Sequence, residues 1–177
     1  MKRLLAGLLL ATVLAAPAYA ALQPGARAPD FTVKAALAGA DYNFSLKENL
    51  KKGPVVLYFF PAAFTAGCTA EAHAFAEATD DFKAAGATLI GVTAGNIDRV
   101  AEFSKVECRD KFAVAADPGA ALAAKYDAAN AERPGTTSRT SFVIGKNGKI
   151  AYSLTERTPL PHIENTLKVV KDLKAKG

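Results

Sequence analysis

The chain of 177 residues carries two cysteines, Cys68 and Cys108, and two histidines, His73 and His162. A cysteine can fill a core, form half of a disulfide, ligate a metal or act as a nucleophile. A closed metal site would need both cysteines and both histidines to converge, which is a poor expectation for four such scattered residues. His73 is expected as a partly exposed helix residue and His162 as a first-turn surface residue. Serine hydrolase chemistry lacks a histidine base here, and no GxGxxG, phosphate-binding loop or CxxC is present. Cys68 stands in FFPAAFTAGCTAEAHAF (residues 59–75), just past an apolar run.

The elements around Cys68 decide between its possible roles. GPVVLYFFP (53–61) is a continuous apolar, β-rich run, as expected of a strand covered on both faces. After it, Cys68, Ala72, Phe75, Thr79 and Phe82 recur at steps of four and three, which defines one helical face, and Gly86 supplies a stop. Cys68 is therefore placed in the first turn of a helix leaving the C-terminal end of a central strand, the edge where open α/β sheets hold ligands. Unpaired N–H groups and a partial positive charge at a helix start favour an anion there. Gly67 permits close approach of another group, and Thr65 offers a hydroxyl beside the sulfur. A purely structural cysteine does not need this setting.

Further along, ATLIGVT (87–93) reads as a second buried strand. NIDRVAEFSKVECRDK (96–111) reads as an amphipathic helix with Ile97, Val100 and Ser104 on one face and Asn96 as N-cap. FAVAAD (112–117) is a third strand followed by a short helix. TSFVIGKNGKIAYSL (140–154) is a hairpin whose Asn147-Gly148 suits a type I′ turn. A last helix puts Ile163, Leu167 and Val170 on one face, with Pro161 near its start. The order implies a mixed sheet with helices on both faces, in one domain spanning residues 21–177.

Residues 1–20, MKRLLAGLLLATVLAAPAYA, combine two basic residues, an apolar run and the A-x-A site Ala18-Tyr19-Ala20, the pattern of a secretory signal peptide. Its removal lowers the formal charge from +5 by the two charges of Lys2 and Arg3. No basic stripe interleaved with aromatics is present, which argues against nucleic-acid binding, and no second long apolar segment argues for a membrane role after cleavage. In an oxidising compartment two cysteines first suggest one structural bridge, worth about 4 kcal/mol for this loop length. That alternative stands beside the nucleophile.

Pro61-x-x-x-Thr65-x-x-Cys68 resembles the active-site signature of the peroxiredoxins, thiol peroxidases of thioredoxin-like fold. VVLYFFPAAFTAGCTAE is most similar to the bacterioferritin-comigratory, or peroxiredoxin Q, subfamily. The likeness continues through PGARAPDFTV (24–33), FKAAGATLIGV (82–92) and SRTSFVIGKNGKI (138–150). It implies a thioredoxin-like fold with an N-terminal β extension and no cofactor. It also implies a monomer that uses a peroxide substrate and a thioredoxin-like or other thiol reductant.

The resemblance assigns the peroxidatic role to Cys68, with Pro61, Thr65 and Arg139 as active-site partners. Gly67, Thr65 and Arg139 would bind the peroxide. Arginine suits such a role because its charge is permanent and its planar fork can hold a thiolate and an oxygen together. Glu71 matches the family's acid after the cysteine and would orient Arg139, although a plain first-turn helix acid fits that position nearly as well.

Three positions depart from the pattern. Phe60-Pro61 replaces Tyr-Pro, Ala66-Gly67-Cys68 replaces Pro-Gly-Cys, and His73 stands where many relatives carry the resolving cysteine. Cys108 matches the place that other relatives use for that thiol, in the helix expected at 96–111. The alternatives that stay open are an inert Cys108 with an external resolving thiol, a binding protein with a permanent Cys68–Cys108 bridge, and a thiol–disulfide exchange protein.

Overall fold

Val55–Phe60 form β3, six residues that are all buried. The computed structural model describes residues 21–176, and the expected signal peptide lies outside the described residues. β3 is buried because it lies inside a seven-stranded sheet of order β2-β1-β5-β4-β3-β6-β7. The flanking strands are β1 (Thr32–Leu37), β2 (Ala40–Ser45), β4 (Thr88–Thr93), β5 (Ala113–Ala116), β6 (Thr140–Ile144) and β7 (Ile150–Thr155). β3, β4 and β5 run parallel, while β6 is antiparallel to β3, and the β1–β2 hairpin adds an antiparallel edge beside β5.

Alternation along β3 divides the core into two layers. Val55, Leu57 and Phe59 face a layer closed by α1 (Leu46–Leu50) and α4 (Ala121–Lys125). Val56, Tyr58 and Phe60 face the layer of α2 (Ala66–Ala84), α3 (Val100–Val106) and α5 (Leu160–Lys176). The mixed sheet with helices on both faces agrees with the sequence expectation. So does the buried face of α2, where Cys68, Ala72, Phe75, Thr79 and Phe82 are all enclosed. Each phenylalanine on that face contributes roughly 1.5–3 kcal/mol by burial. Gly86, at φ +81°, ends α2 with Ala87 N–H donating to Phe82 O at 2.9 Å, a Schellman closure.

Five expectations are corrected. The segment 96–111 is not one helix: a 3₁₀ turn at Ile97–Arg99 precedes α3, which stops at Val106. Cys108 therefore lies beyond the helix, where Glu107 and Cys108 both donate their N–H groups to Phe103 O. Asn96 does not cap with its side chain. It has φ 54° and donates from Nδ2 to Ala63 O at 2.7 Å, tying this segment to the loop before α2. The buried residues of α3 are Phe103 and Ser104, while Ile97 and Val100 are only half-buried.

The β6–β7 turn has positive φ at Gly148 but not at Asn147, so it is not type I′. Gly148 N–H donates to Gly145 O, making a turn with Gly148 as the left-handed bulge residue. Finally, His162 is fully buried rather than on the surface, because α5 lays it against β6 and the Glu156 backbone.

Candidate active site

The loop joining β3 to α2 is built to present the helix start. Phe64, just before the helix, adopts φ 61°, a costly conformation for a non-glycine residue. Two contacts hold it there: an edge-on packing against Phe103 at 5.2 Å and the Arg99 guanidinium 3.8 Å above its ring. Ala63 N–H donates to Gly95 O at 3.1 Å, and a Cβ at Gly95 would lie 2.5 Å from Pro61 O. Gly95 thus allows the loop after β4 to pack closely against the loop after β3. None of this bracing is readable from local sequence pattern.

At the helix start Cys68 is 2% exposed. Arg139, immediately before β6, donates from Nη2 to Cys68 Sγ at 3.7 Å. Its Nη1 pairs with Glu71 Oε2, one turn after the cysteine, and its Nε donates to Arg157 O at 3.0 Å. One rigid guanidinium therefore spans a sulfur, a carboxyl and a carbonyl, a set of contacts that a lysine ammonium on its flexible stem does not reproduce. A Cβ at Gly67 would lie 3.3 Å from Arg139 Nη2, so the glycine makes room for the arginine.

Glu71 is fully buried, and burial pushes its carboxyl up to about 8 against the opposing pull of Arg139. Among the described residues its Oε1 has no hydrogen-bond partner, which fits a side chain that holds a proton near neutrality. A protonated Glu71 still accepts from Arg139 through one oxygen and leaves the guanidinium charge free to act on the sulfur.

The loop carrying Arg157 is itself supported. The Glu156 carbonyl can only accept, so His162 Nε2 carries the proton and donates to it at 2.9 Å, while Nδ1 accepts from Ser141 Oγ at 2.8 Å. Burial lowers the pKa of His162, with the Arg139 charge adding to the effect, which favours the neutral ring this arrangement needs. Sequence reasoning missed this support because a histidine at a helix start carries no sign of which way the helix will turn it.

Thr65 and Pro61 take different places from Arg139. Thr65 is the exposed residue preceding α2, and its hydroxyl donates to Ala62 O at 3.1 Å rather than to the sulfur. Pro61 lines a cleft of about 660 Å³ together with Asn130, Arg133, Ser138, Arg139 and Arg157. The cleft reaches the site from the Arg139 side.

Cys108 shares the apolar layer of Cys68, and both are free thiols. Cys108 is 0% exposed, and burial, with a further contribution from Glu107, pushes its thiol well up. Tyr58 lies in the same layer, with its ring stacked 4.5 Å from Phe75 and its hydroxyl buried without a partner. His73, partly exposed as expected, contacts Glu107 Oε2 through Nε2 at 2.7 Å.

This arrangement holds a thiol beside a guanidinium at a helix start, on a mixed sheet with parallel central strands. It defines a thiol-dependent oxidoreductase of thioredoxin-like fold. The AhpC/TSA family model matches residues 24–153. A putative chloroplastic peroxiredoxin Q of Oryza sativa subsp. indica is 33% identical over 151 residues, covering 84% of this chain and 67% of the relative. Peroxiredoxin Q of Sedum lineare is 30% identical over 157 residues, covering 88% and 82%. Among solved structures, peroxidoxin BcpB of Mycobacterium tuberculosis superposes with TM-score 0.77 at 25% identity, covering 86% of this chain and 98% of its own. The chain belongs to the AhpC/TSA family and is a peroxiredoxin similar to the peroxiredoxin Q group.

Proposed function

We propose that the protein is an exported peroxidase, periplasmic or secreted, in which Cys68 is the nucleophile and Cys108 the resolving thiol. In the first step the Cys68 thiolate attacks one oxygen of hydrogen peroxide or an organic hydroperoxide. The S–O bond forms as the O–O bond breaks, and the leaving oxygen departs with the electron pair and takes a proton as water or an alcohol. Arg139 and the backbone N–H groups near Gly67 and Cys68 stabilise that charge. Thr65 acts by shaping the loop with Pro61, and its hydroxyl can turn from Ala62 O to a bound peroxide.

In the second step the Cys108 sulfur attacks the Cys68 sulfenic acid, the S–S bond forms, and the sulfenic oxygen leaves as water. A thioredoxin-like dithiol then reduces the bridge and is oxidised in turn. The observation that carries this reading is the 3.7 Å approach of Arg139 Nη2 to Cys68 Sγ, eased by Gly67.

Peroxide consumption with a dithiol reductant tests the reading. Wild type turns over, and Cys68→Ser is inactive. Unchanged turnover in Cys68→Ser would end the peroxidase assignment to this residue. Mass spectrometry of peroxide-treated wild type should find a Cys68–Cys108 link, and its absence would remove Cys108 from the cycle.

A further inference from the structure

The turn that carries Cys108 is held to the helix that carries Cys68 by a row of three contacts, one histidine–carboxylate pair and two ion pairs. On α2, His73, Glu77 and Asp80 follow one another at steps of four and three, so they form one stripe. On the turn, Glu107, Arg109 and Lys111 all reach α2, while Cys108 is buried. The partners match in order. His73 Nε2 meets Glu107 Oε2 at 2.7 Å, Glu77 Oε1 meets Arg109 Nη1 at 3.2 Å, and Asp80 Oδ2 meets Lys111 Nζ at 3.3 Å.

The backbone under this row is strained. Arg109 and Asp110 are consecutive non-glycine residues with φ 51° and 59°, a conformation that costs L-residues energy at each position. Four backbone bonds fasten the turn: Glu107 N–H to Phe103 O at 2.9 Å, Cys108 N–H to Phe103 O at 3.0 Å, Asp110 N–H to Ser104 O at 3.3 Å and Lys111 N–H to Cys108 O at 2.9 Å. The strained closed form is held by these bonds and by the side-chain contacts on its solvent side. Those contacts are exposed, apart from the partly covered His73–Glu107 pair, so salt and single charge changes act on them directly.

We propose that this ladder of α2 and turn residues positions Cys108 and gates the second half of the catalytic cycle. Closed, it keeps the Cys108 thiol buried. Open, it releases the stored backbone strain and lets Cys108 reach the Cys68 sulfenic acid, forming the S–S bond with loss of water. The inference rests on the assignment of Cys68 and Cys108 above. Glu77, Asp80, Arg109 and Lys111 act through Cys108 and touch neither the peroxide nor the sulfurs of the first step.

A charge-swap cycle with single-turnover kinetics tests it. Reduced full-length protein receives one equivalent of hydrogen peroxide, and quenched samples are read by mass spectrometry for trapped sulfenic acid and for disulfide. Glu77→Arg and Arg109→Glu, each placing like charges across the middle rung, should speed disulfide formation about threefold or more. The double swap Glu77→Arg with Arg109→Glu should return it to within about twofold of wild type. Sulfenic acid formation should not change in any of them. Added salt should speed disulfide formation in wild type and have less effect on the single variants. Disulfide formation at one rate in all four proteins, with salt inert, overturns the gate while the cysteine assignment stands. Sulfenic acid that never becomes a disulfide in any of them overturns the role of Cys108, and the gate with it.

Discussion

Cys68 and Cys108 lie in the same apolar layer, 2% and 0% exposed, yet their surroundings prepare them for opposite behaviour. Cys68 sits at a helix start with a guanidinium on its sulfur and a glycine beside it to admit that guanidinium. Cys108 sits past a helix end, where burial and Glu107 hold the proton on its sulfur. In the cycle proposed above, Cys68 reacts in place, whereas Cys108 must move before it reacts. The comparison teaches that burial alone does not set cysteine chemistry. What decides it is which charges and dipoles are enclosed with the sulfur.

Cys108→Ser should separate the two sites most sharply. Multiple turnover with a thioredoxin-like reductant should be abolished while the first oxidation of Cys68 keeps its rate, as measured by single-turnover loss of the Cys68 thiol. Slowing of that first step would show that the two sites are not independent. Arg139→Ala attacks the other side of the comparison. Its first-step rate should fall about 10²–10³-fold, the range for removing one preorganised donor to a developing charge. Its stability should fall by roughly 1–3 kcal/mol, because Glu71 loses its partner but can keep a proton. Arg139→Lys should recover little of the rate.

Glu71 gives a smaller effect that depends on pH. The folded chain holds its proton up to about 8, whereas the ordinary value is 4.5. Between those values the folded state binds a proton that the unfolded state has released, so this residue makes stability fall as pH rises through that window. Its contribution to the slope is at most about 1.4 kcal/mol per pH unit. Glu71→Gln should flatten the fall, as read by denaturant unfolding at several pH values. If the slope is unchanged, Glu71 is not the group responsible. Gly67→Ala should have the least effect, slowing the first step only severalfold. Its Cβ would sit 3.3 Å from Arg139 Nη2 and need a shift of a few tenths of an ångström.

Much of the fold could be read locally. The apolar run of β3 and the four-and-three spacing of α2 depend only on residues that are neighbours in sequence, and both appear with nearly the expected bounds. The segment 96–111 misled because its apolar residues fit a continuous helix, while contacts from elsewhere broke it. Asn96 is drawn to Ala63 O, and the end of α3 is wound shut on Phe103 O. His162 misled for a similar reason: its partners, Ser141 and the Glu156 carbonyl, come from β6 and the segment after β7. Within the site, Cys68 and Gly67 were legible by type and pattern, and Arg139 through the family resemblance. The bracing of Phe64 by Phe103 and Arg99 was not, since those residues lie far along the chain.

The sequence by itself determined that a thiol would stand at a helix start after a buried strand, because strand and helix periodicities are local and the helix dipole follows from them. It determined the charges available to that thiol but not their partners. Tertiary structure decided that Arg139 would spend its three nitrogens on Cys68, Glu71 and Arg157, and that Glu71 would be enclosed enough to keep a proton. It also decided that Cys108 would lie in a strained turn clamped to α2. The physical reason is the range of the forces involved. Backbone preference acts over a few residues, while burial and ion pairing join residues that the sheet brings together across the chain.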